Sequence, residues 1–241
     1  MFGLVFLLLS CPRMQTPRME ALILLREHVK VCRGTQSFSL SWIAYVVARQ
    51  LNDIDPAELE SIITEYGEPR RLHFRADFAE FECELVRRSA SKNRHHDITC
   101  FIPYDGGYVG IQKPGYAGSG IFRAPSGGAN FGESLRKAAV REMHEETGLD
   151  IQLVRFVLDF TLDVVCSDGV IPWRSLVFLV KGTGGEMKPN DTHEIFDIKL
   201  VTREEKLGEI TRLMEESGWG GFKYRAFLTK SFFERMDELG F

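Results

Sequence analysis

The sequence predicts an α+β protein in which helices cover a mixed β-sheet, with a helical module in front of it. Three patterns carry this prediction. Apolar residues recur at helical spacing early in the chain, β-branched runs with glycine-containing turns follow, and two amphipathic helices end it. Together these elements form an α/β/α sandwich. The 241 residues, 44% of them hydrophobic, supply enough core for one large domain or two small ones.

Residues 1–18 form an apolar leader that begins MFGLVFLLLSC. The run has signal-peptide length, but no basic residue precedes it, and it is too short to span a bilayer. Because Met14 and Met19 follow closely, a misassigned start or a segment packed on the protein fits as well as export. No membrane span is expected.

Residues 19–92 are expected to form the helical module. Helices are predicted over Met19 to Arg33, Ser39 or Ser41 to Leu51, and Ala57 to Tyr66, with Pro56 as a first position and Gly67 as a stop. The last two helices and their turn have the outline of a helix-turn-helix. The third is rich in glutamate, which phosphates repel, so a packing or dimerisation module is favoured over a DNA reader.

The segment Arg75 to Ser89 combines strand-like and helical spacing. The strand-like alternation changes phase at Ala79, and Glu84 can pair with Arg88 one turn later, which favours a helix. The boundary with the main domain, residues 93–241, is expected within the polar connector Ser89 to His96.

The main domain begins with a hairpin about the turn Asp105-Gly106-Gly107. Its expected strands are Asp97 to Tyr104, Tyr108 to Gln112, Ile121 to Ala124, Gln152 to Val165, Trp173 to Lys181 and Glu194 to Val201. The expected C-terminal helices are Arg203 to Ser217 and Lys223 to Leu239.

The stretch from Gly127 to Leu149 organises the chain. Good helix formers predict a helix from Gly132 to Thr147, with Glu133 in its first turn and Gly148 as a left-handed cap.

Three carboxylates of this helix are placed unusually. At about 100° per residue, Glu142 and Glu146 fall inside the apolar arc, and Glu145 falls at its edge. Clustered carboxylates on an inward face repel one another unless a cation compensates, and all-oxygen ligands suit Mg²⁺ or Mn²⁺. A solvated acidic helix end near Lys137 and Arg141 is the simpler alternative.

The spacing of the stretch is Gly127, five residues, Glu133, seven residues, Arg141-Glu142-Met143, one residue, Glu145-Glu146, one residue, and Gly148-Leu149. All nine positions match the Nudix box, so the chain resembles the Nudix hydrolase family from about His96 onward. The resemblance implies the same α/β/α sandwich. It also implies Mg²⁺-dependent hydrolysis of a nucleoside diphosphate linked to another moiety, with Mn²⁺ as a possible substitute.

The resemblance also implies roles for residues. Glu142, Glu145 and Glu146 would hold the metal, the backbone carbonyl of Ser126 would join them, and Glu133 would support the site through water. Arg141, which is predicted to turn away from the carboxylate face of the helix, would orient a catalytic glutamate. The general base stays open, because the family places it either within the box or on a later loop, where Glu194 is the candidate.

The sequence does not identify the nucleotide substrate. It lacks the signatures that mark members acting on ADP-ribose, dinucleoside polyphosphates or coenzyme A. Arg123 is a candidate for phosphate binding and Trp173 for stacking on a base. Both residues also fit an ordinary surface or core.

Composition limits the partners and the compartment. The net charge of −4 argues against general nucleic-acid binding. Five cysteines, odd in number and without a Cys-x-x-Cys pair, predict reduced thiols in a cytoplasmic protein, with neither disulfides nor a zinc site. A small nucleotide is the expected partner, and a homodimer is a further possibility.

Two functions from other classes compete. A nucleotide-sensing transcriptional regulator would use the helical module on DNA, but sensors usually lose the box glutamates, and here all are present. A protein-interaction role for Trp219 to Phe222 and the last helix rests on composition alone.

Overall fold

The computed structural model, which describes residues 54–241, is built around a long antiparallel hairpin. Strand β6 (Leu149–Cys166) pairs with β7 (Gly169–Gly185) across a turn at Ser167 and Asp168. The predicted strands from Gln152 to Val165 and from Trp173 to Lys181 are therefore confirmed and extended. Their β-branched and aromatic side chains suit a sheet that is covered on both faces.

Five strands form the larger sheet in the order β1-β6-β7-β2-β5. The added strands are β1 (Arg70–Asp77), β2 (His96–Phe101) and β5 (Ser126–Gly127). The pairs β1–β6 and β2–β7 are parallel, whereas β6–β7 and β2–β5 are antiparallel. The prediction of a mixed sheet is confirmed.

A smaller sheet has the order β3-β4-β8. It consists of β3 (Pro103–Tyr104), β4 (Gly107–Gln112) and β8 (Asp197–Val201). The predicted hairpin turn at Asp105 and Gly106 joins β3 to β4, but the strand before it is divided. Residues 96–101 pair with β7 in the larger sheet, so only Pro103 and Tyr104 remain for the hairpin. The predicted strand Ile121 to Ala124 is reduced to one bridge, between Ile111 and Arg123.

The helices are α1 (Pro56–Tyr66), α2 (Glu80–Ala90), α3 (Leu135–Thr147), α4 (Arg203–Glu205), α5 (Thr211–Glu216) and α6 (Gly220–Leu239). A π-helical turn, Lys206–Ile210, joins α4 to α5, and a 3₁₀ turn covers Pro114–Tyr116. The predicted start of α1 at a proline is confirmed, since the Asp55 carboxylate accepts from the Ala57 amide at 2.9 Å. The two helices predicted before residue 52 lie outside the described residues.

The core lies in two main layers on opposite faces of the larger sheet. Along β7, Leu176, Phe178 and Val180 pack with α1 and α3, whereas the intervening Val177 and Leu179 pack with α2 and α6. Because successive strand residues point to opposite faces, this alternation places helices on both sides. The predicted α/β/α sandwich is confirmed for the described residues.

The segment before residue 93 is not purely helical. β1 is a strand whose alternating exposure begins at Arg70, and α2 begins only at Glu80. The helix predicted over Arg75 to Ser89 is thus wrong up to Asp77 and confirmed from Glu80. The phase change at Ala79 marks the junction of strand and helix.

Residues on the two sides of the expected boundary at residue 93 share one sheet and one core cluster. β1 pairs with β6 along its whole length, and α1 shares a core cluster with α3. Residues 54–92 therefore contribute to the same sheet and core as residues 93–241. The leader and the rest of the predicted module, residues 1–53, lie outside the described residues.

Cys83 of α2 and Cys166 at the end of β6 form a disulfide, with Cα atoms 6.0 Å apart. The prediction that all the cysteines are reduced is wrong for this pair. The sequence could not reveal it because the two residues are 83 positions apart. Cys100 is free and buried, while Cys11 and Cys32 lie outside the described residues. The cytoplasmic location, inferred from that cysteine pattern, stays a prediction.

Within residues 54–241, no helix combines the length and apolar character that a bilayer span requires.

Replacing Cys83 and Cys166 by serine is expected to lower the free energy of unfolding by about 2–5 kcal/mol, because the cross-link restricts the unfolded chain. Denaturant unfolding with and without a thiol reductant measures this. The reductant should destabilise the wild-type protein and leave the double variant unchanged. A wild-type protein that is insensitive to the reductant would contradict the disulfide.

Lys206 lies in the π-helical turn with 2% of its surface exposed, and burial lowers its pKa to about 7. Its amino group is 6.0 Å from the centroid of the Phe101 ring. The folded protein thus holds a neutral amine at a pH where the unfolded chain, with an ordinary pKa of 10.5, is protonated.

The unfolded state therefore binds more protons between about pH 7 and pH 10.5, and stability rises with pH in that window. Urea unfolding at pH 7, 8 and 9 should show Lys206→Met more stable than wild type at pH 7. The difference should shrink by about 1.4 kcal/mol per pH unit. Parallel pH profiles for the two proteins would refute the neutral lysine.

Candidate active site

The box helix α3 is fixed at both ends. Ser134 is its N-cap and accepts from the Lys137 amide at 3.3 Å. Gly148 ends it in the left-handed conformation, and a Cβ there would lie 2.4 Å from the carbonyl oxygens of Glu186 and Lys188. The predicted cap is confirmed. The predicted start is three residues early, so Glu133 precedes the helix instead of lying in its first turn.

Glu146 is the most deeply buried box carboxylate, with 2% of its side chain exposed. Its Oε2 accepts from the Ser126 amide at 2.8 Å. Its Oε1 lies 3.0 Å from Lys113 Nζ and 3.9 Å from Arg123 Nη2, but it has no hydrogen bond of good geometry among the described residues. Two cations thus offset its charge while one oxygen stays available.

Glu142 lies against the loop before the helix. An added Cβ on Gly127 would be 1.9 Å from the Glu142 carboxyl carbon, so only glycine leaves room for this side chain. Glu142 also accepts from the Gly128 amide at 3.2 Å. Burial raises the pKa of Glu142, and the negative charge of Glu146 raises it further. The prediction that these two carboxylates face inward is confirmed.

Arg141 joins the remaining box carboxylates. Its guanidinium donates to both oxygens of Glu133, at 2.9 and 2.8 Å, and to Glu145 at 2.9 Å. It also lies 2.9 Å from Glu142 Oε1 and donates to the Gly128 carbonyl at 3.0 Å. The hydrogen bond from Arg141 lowers the pKa of Glu133. The prediction that Arg141 turns away from the carboxylate face is therefore wrong for its guanidinium, which contacts Glu133, Glu142 and Glu145.

The loop after β7 brings Glu194 close to Lys113, the lysine that also contacts Glu146. The Asn190 and Asp191 amides donate to the Glu145 carbonyl at 3.1 and 3.0 Å, so the loop binds carbonyls that the end of α3 leaves unpaired. Lys113 Nζ then lies 3.0 Å from Glu194 Oε2 as well as 3.0 Å from Glu146 Oε1. Glu194 is exposed and approaches the box through this shared lysine.

Arg225 of α6 is a site residue that the sequence interpretation missed. It donates to Asp97 at 2.9 Å, to Thr99 at 2.6 Å and to the Ser126 hydroxyl at 3.0 Å. Arg123 donates to the same hydroxyl at 2.8 Å. Two guanidinium groups therefore converge on the residue whose amide binds Glu146.

The sequence contains a pattern that indicates an inward position for Arg225. Phe222, Arg225 and Thr229 follow helical spacing, and both flanking members of this stripe are buried. An arginine within an inward stripe requires a polar partner, because an unpaired buried charge is costly.

Trp173 is not brought to the box carboxylates. It lines a separate cavity of about 540 Å³ on the β1-β6-β7 part of the sheet. Arg174 in the same cavity makes a bidentate contact with the buried Asp159, at 2.8 and 2.7 Å. His73 and Thr161 add further polar lining.

The donor set fits a divalent cation in chemistry. Its side-chain ligands would be carboxylate oxygens alone, which hard cations prefer. Among residues 54–241, no three His, Cys, Asp or Glu side chains surround a common point in metal geometry. Arg141 and Lys113 hold the carboxylates instead. The buried Glu146 oxygen without a hydrogen bond and the glycine-lined space for Glu142 are the features that suit an ion.

A family model described as the NUDIX domain matches residues 93–218, just over half of the chain. The chain therefore belongs to the Nudix hydrolase family. Members of this family generally use a divalent metal ion.

Solved structures that resemble the chain include a UDP-X diphosphatase, with 15% identity over 76% of this chain and 82% of that one, and a TM-score of 0.38. A NUDIX hydrolase from Nitrosomonas europaea has 17% identity over 52% and 88% of the two chains, with a TM-score of 0.41. An ADP-ribose pyrophosphatase from Streptococcus suis has 19% identity over 45% and 74%, with a TM-score of 0.33.

Arg225→Gln is expected to lower the free energy of unfolding by about 2–3 kcal/mol, because Asp97 loses its cationic partner in a mostly buried place. Denaturant unfolding of Arg225→Gln, Asp97→Asn and the double variant measures the coupling. The double variant should be less destabilised than the sum of the single variants. Lys223→Gln, at an exposed position of the same helix, is the control. Strict additivity would contradict the Arg225–Asp97 pair.

Proposed function

We propose that this chain hydrolyses a phosphoanhydride bond in a nucleoside diphosphate linked to another moiety, with Mg²⁺ as the working ion and Mn²⁺ as a substitute. One observation carries the proposal. Two inward carboxylates of α3, Glu142 and Glu146, meet the Gly127–Gly128 turn and Ser126, and one buried oxygen has no hydrogen bond among the described residues.

Glu142, Glu145 and Glu146 are the proposed metal ligands, together with the backbone carbonyl of Ser126. Glu133 supports them from outside, since Arg141 ties it to Glu142 and Glu145. A divalent ion bound there neutralises phosphate charge and lowers the pKa of a water molecule.

The cationic side chains around the carboxylates have different proposed roles. Arg141 keeps Glu142 and Glu145 oriented through contacts of 2.9 Å to each. Lys113 and Arg123, both next to Glu146, are placed to meet phosphate oxygens. Substrate phosphates would compete with Glu146 and Glu194 for Lys113.

Two glutamates are candidates for the base that takes a proton from the attacking water. Glu145 is held by Arg141, and 49% of its side chain is exposed. Glu194 is held by Lys113, and 61% of its side chain is exposed. Glu145→Gln and Glu194→Gln distinguish them, because only loss of the base should remove the acidic limb of the pH–rate profile.

The cavity that contains Trp173 is the proposed place for the organic part of the substrate. Its volume of about 540 Å³ suits a nucleoside, and it combines an indole ring with polar side chains. Trp173 supplies a surface for stacking, and Thr161 and Asp163 supply partners for hydroxyl groups. Trp173→Ala should therefore raise KM more than it lowers kcat.

The DNA-binding alternative is disfavoured. On α1, Glu58, Ser61 and Glu65 contact residues 135 and 136 of the box helix, so this face is occupied within the protein. The exposed remainder of α1 carries no Arg or Lys. We also propose that the protein is a cytoplasmic homodimer without nucleic-acid partners.

The decisive experiment is a panel assay of purified protein with Mg²⁺ or Mn²⁺. The substrates are nucleoside triphosphates, nucleotide sugars, ADP-ribose, NADH and dinucleoside polyphosphates. Glu142→Gln and Glu146→Gln should each lower kcat/KM by about 10²-fold or more for any accepted substrate, because charge stabilisation at the phosphate is lost. A chelator should abolish the activity.

Glu84→Gln is the matched control, since Glu84 is an exposed glutamate on α2. It should keep wild-type activity. Unchanged rates for Glu142→Gln and Glu146→Gln, or hydrolysis in the presence of chelator, would overturn the metal site. No turnover of any member of the panel would shift the assignment to a nucleotide sensor.

A further inference from the structure

The first turn of the box helix carries charges of the wrong sign. Its side chains are Leu135, Arg136 and Lys137, and it has no carboxylate of its own. The N-terminus of a helix has a partial positive charge from its unpaired amides, so two basic residues there are unfavourable. A carboxylate from elsewhere would compensate.

Glu58 of α1 supplies that carboxylate. Its Oε1 accepts from the Leu135 amide at 2.6 Å, across 77 positions of sequence. The contact is half-buried, and it both satisfies an unpaired amide and places a negative charge at the positive end of the helix. Charge-assisted hydrogen bonds of this kind are about twice as strong as neutral ones.

Arg136 makes further contacts between the same two helices, but these contribute less to stability. Arg136 donates to Glu65 at 2.6 Å and to Ser61 at 3.1 Å, and its guanidinium lies 5.5 Å from the centroid of the Tyr66 ring. Glu65 and Ser61 are exposed, so screening by water makes this pair weak. The Glu58 contact therefore dominates.

α1 is a firm support for this contact. Ile62, one turn after Glu58, is fully buried in the cluster that contains Ala138, Ala139 and Met143 of the box helix. Tyr66 packs edge-on against Phe178 of the central hairpin, with ring centroids 6.5 Å apart. Movement of Glu58 is thus restricted by the core.

Hydrogen bonds and ion pairs connect the start of α3 to the box carboxylates. Glu133 directly precedes the N-cap, and its Oε2 accepts from the Asn130 amide at 2.9 Å. The Arg141 guanidinium contacts Glu133 and also the Gly128 carbonyl, Glu142 and Glu145. A displacement of the helix start would therefore also displace the carboxylates of Glu142 and Glu145, because Glu133 and Arg141 connect them to it.

We propose that Glu58 is a positioning residue for the active site, which it serves from outside the segment matched by the family model. It holds the first turn of α3 and thereby sets the place of Glu133, Arg141 and Glu142. The consequence for turnover rests on the proposed function, whereas the structural link does not.

The test compares four variants of the full chain. Glu58→Ala removes the contact, Glu58→Asp keeps the charge but shortens the reach, and Glu58→Gln keeps an acceptor at the same reach. Glu60→Gln is the control, because Glu60 is exposed on the same helix and has no side-chain hydrogen bond or ion pair among residues 54–241.

Three quantities are measured: hydrogen exchange of the Leu135 amide, Mn²⁺ affinity of the protein alone, and the separate values of kcat and KM. Glu58→Ala and Glu58→Asp should increase Leu135 exchange and weaken Mn²⁺ binding by about tenfold, the usual effect of losing an outer support. kcat should fall with them while KM changes little. Glu58→Gln, which keeps an acceptor but loses the charge, should give values between those of Glu58→Ala and wild type, because the neutral hydrogen bond is about half as strong. Glu60→Gln should match wild type.

Unchanged Mn²⁺ affinity in folded Glu58→Asp with faster Leu135 exchange would reduce Glu58 to a structural cap and overturn the proposal. Unchanged Leu135 exchange would also overturn it. If Glu58→Ala does not fold, Glu58→Asp and Glu58→Gln carry the comparison. If the wild-type protein binds Mn²⁺ but hydrolyses no substrate, the proposed function fails while the exchange and Mn²⁺ readouts still decide the role of Glu58.

Discussion

The burial of the Glu146 carboxylate is the constraint on which the site depends. A buried charge is tolerated only with hydrogen bonds and opposite charges around it, and here the Ser126 amide, Lys113 and Arg123 provide them. These partners come from the ends of β4 and β5 and from the segment between them. The fold must therefore bring that segment against the last turn of α3, and the short pairing of β5 with β2 holds it there.

Backbone hydrogen bonds join the loop after β7 to the end of α3. The end of α3 leaves carbonyls without helical partners, and the amides of residues 188, 190 and 191 bind them. This anchoring fixes the path of the chain toward Glu194 and Ile195, which is buried. Lys113 then stands between Glu146 and Glu194, so one cation offsets two carboxylates from separate elements.

Local patterns predicted much of the structure. Proline and glycine marked the ends of α1 and α3, β-branched apolar runs predicted the two central strands, and the helical period placed Glu142 and Glu146 inward. Each of these features is determined within one helix or one turn, so neighbouring residues suffice to identify it. The split of residues 96–104 between two sheets could not be predicted, because strand partners are chosen across the whole chain.

Pairings between distant residues were also beyond local patterns. The Cys83–Cys166 bond, the bridge from Arg225 to Asp97 and Ser126, and the parallel pairing of β1 with β6 all join segments far apart in sequence. Trp173 shows the same limit of local patterns. Its residue type suits base stacking, but its strand position places it in a cavity separate from the box carboxylates.

Residues 54–92 pack against the two helices that carry the candidate site. Two helices carry the site, α3 with the glutamates and α6 with Arg225, and neither has an acidic residue in its first turn. In each helix, a glutamate from residues 54–92 accepts from an amide of the first turn. Glu58 binds the Leu135 amide, and the buried Glu82 binds the Gly220 and Gly221 amides at 3.1 and 2.9 Å.

These two contacts explain why residues 54–92 pack against α3 and α6. A carboxylate on another element satisfies helix amides as a local one does, but it also links the helix to that element. Through Glu58 and Glu82, α1 and α2 are tied to opposite layers of the sandwich, on the two faces of one sheet. The positions of the box glutamates and of Arg225 then depend on residues that the box itself does not contain.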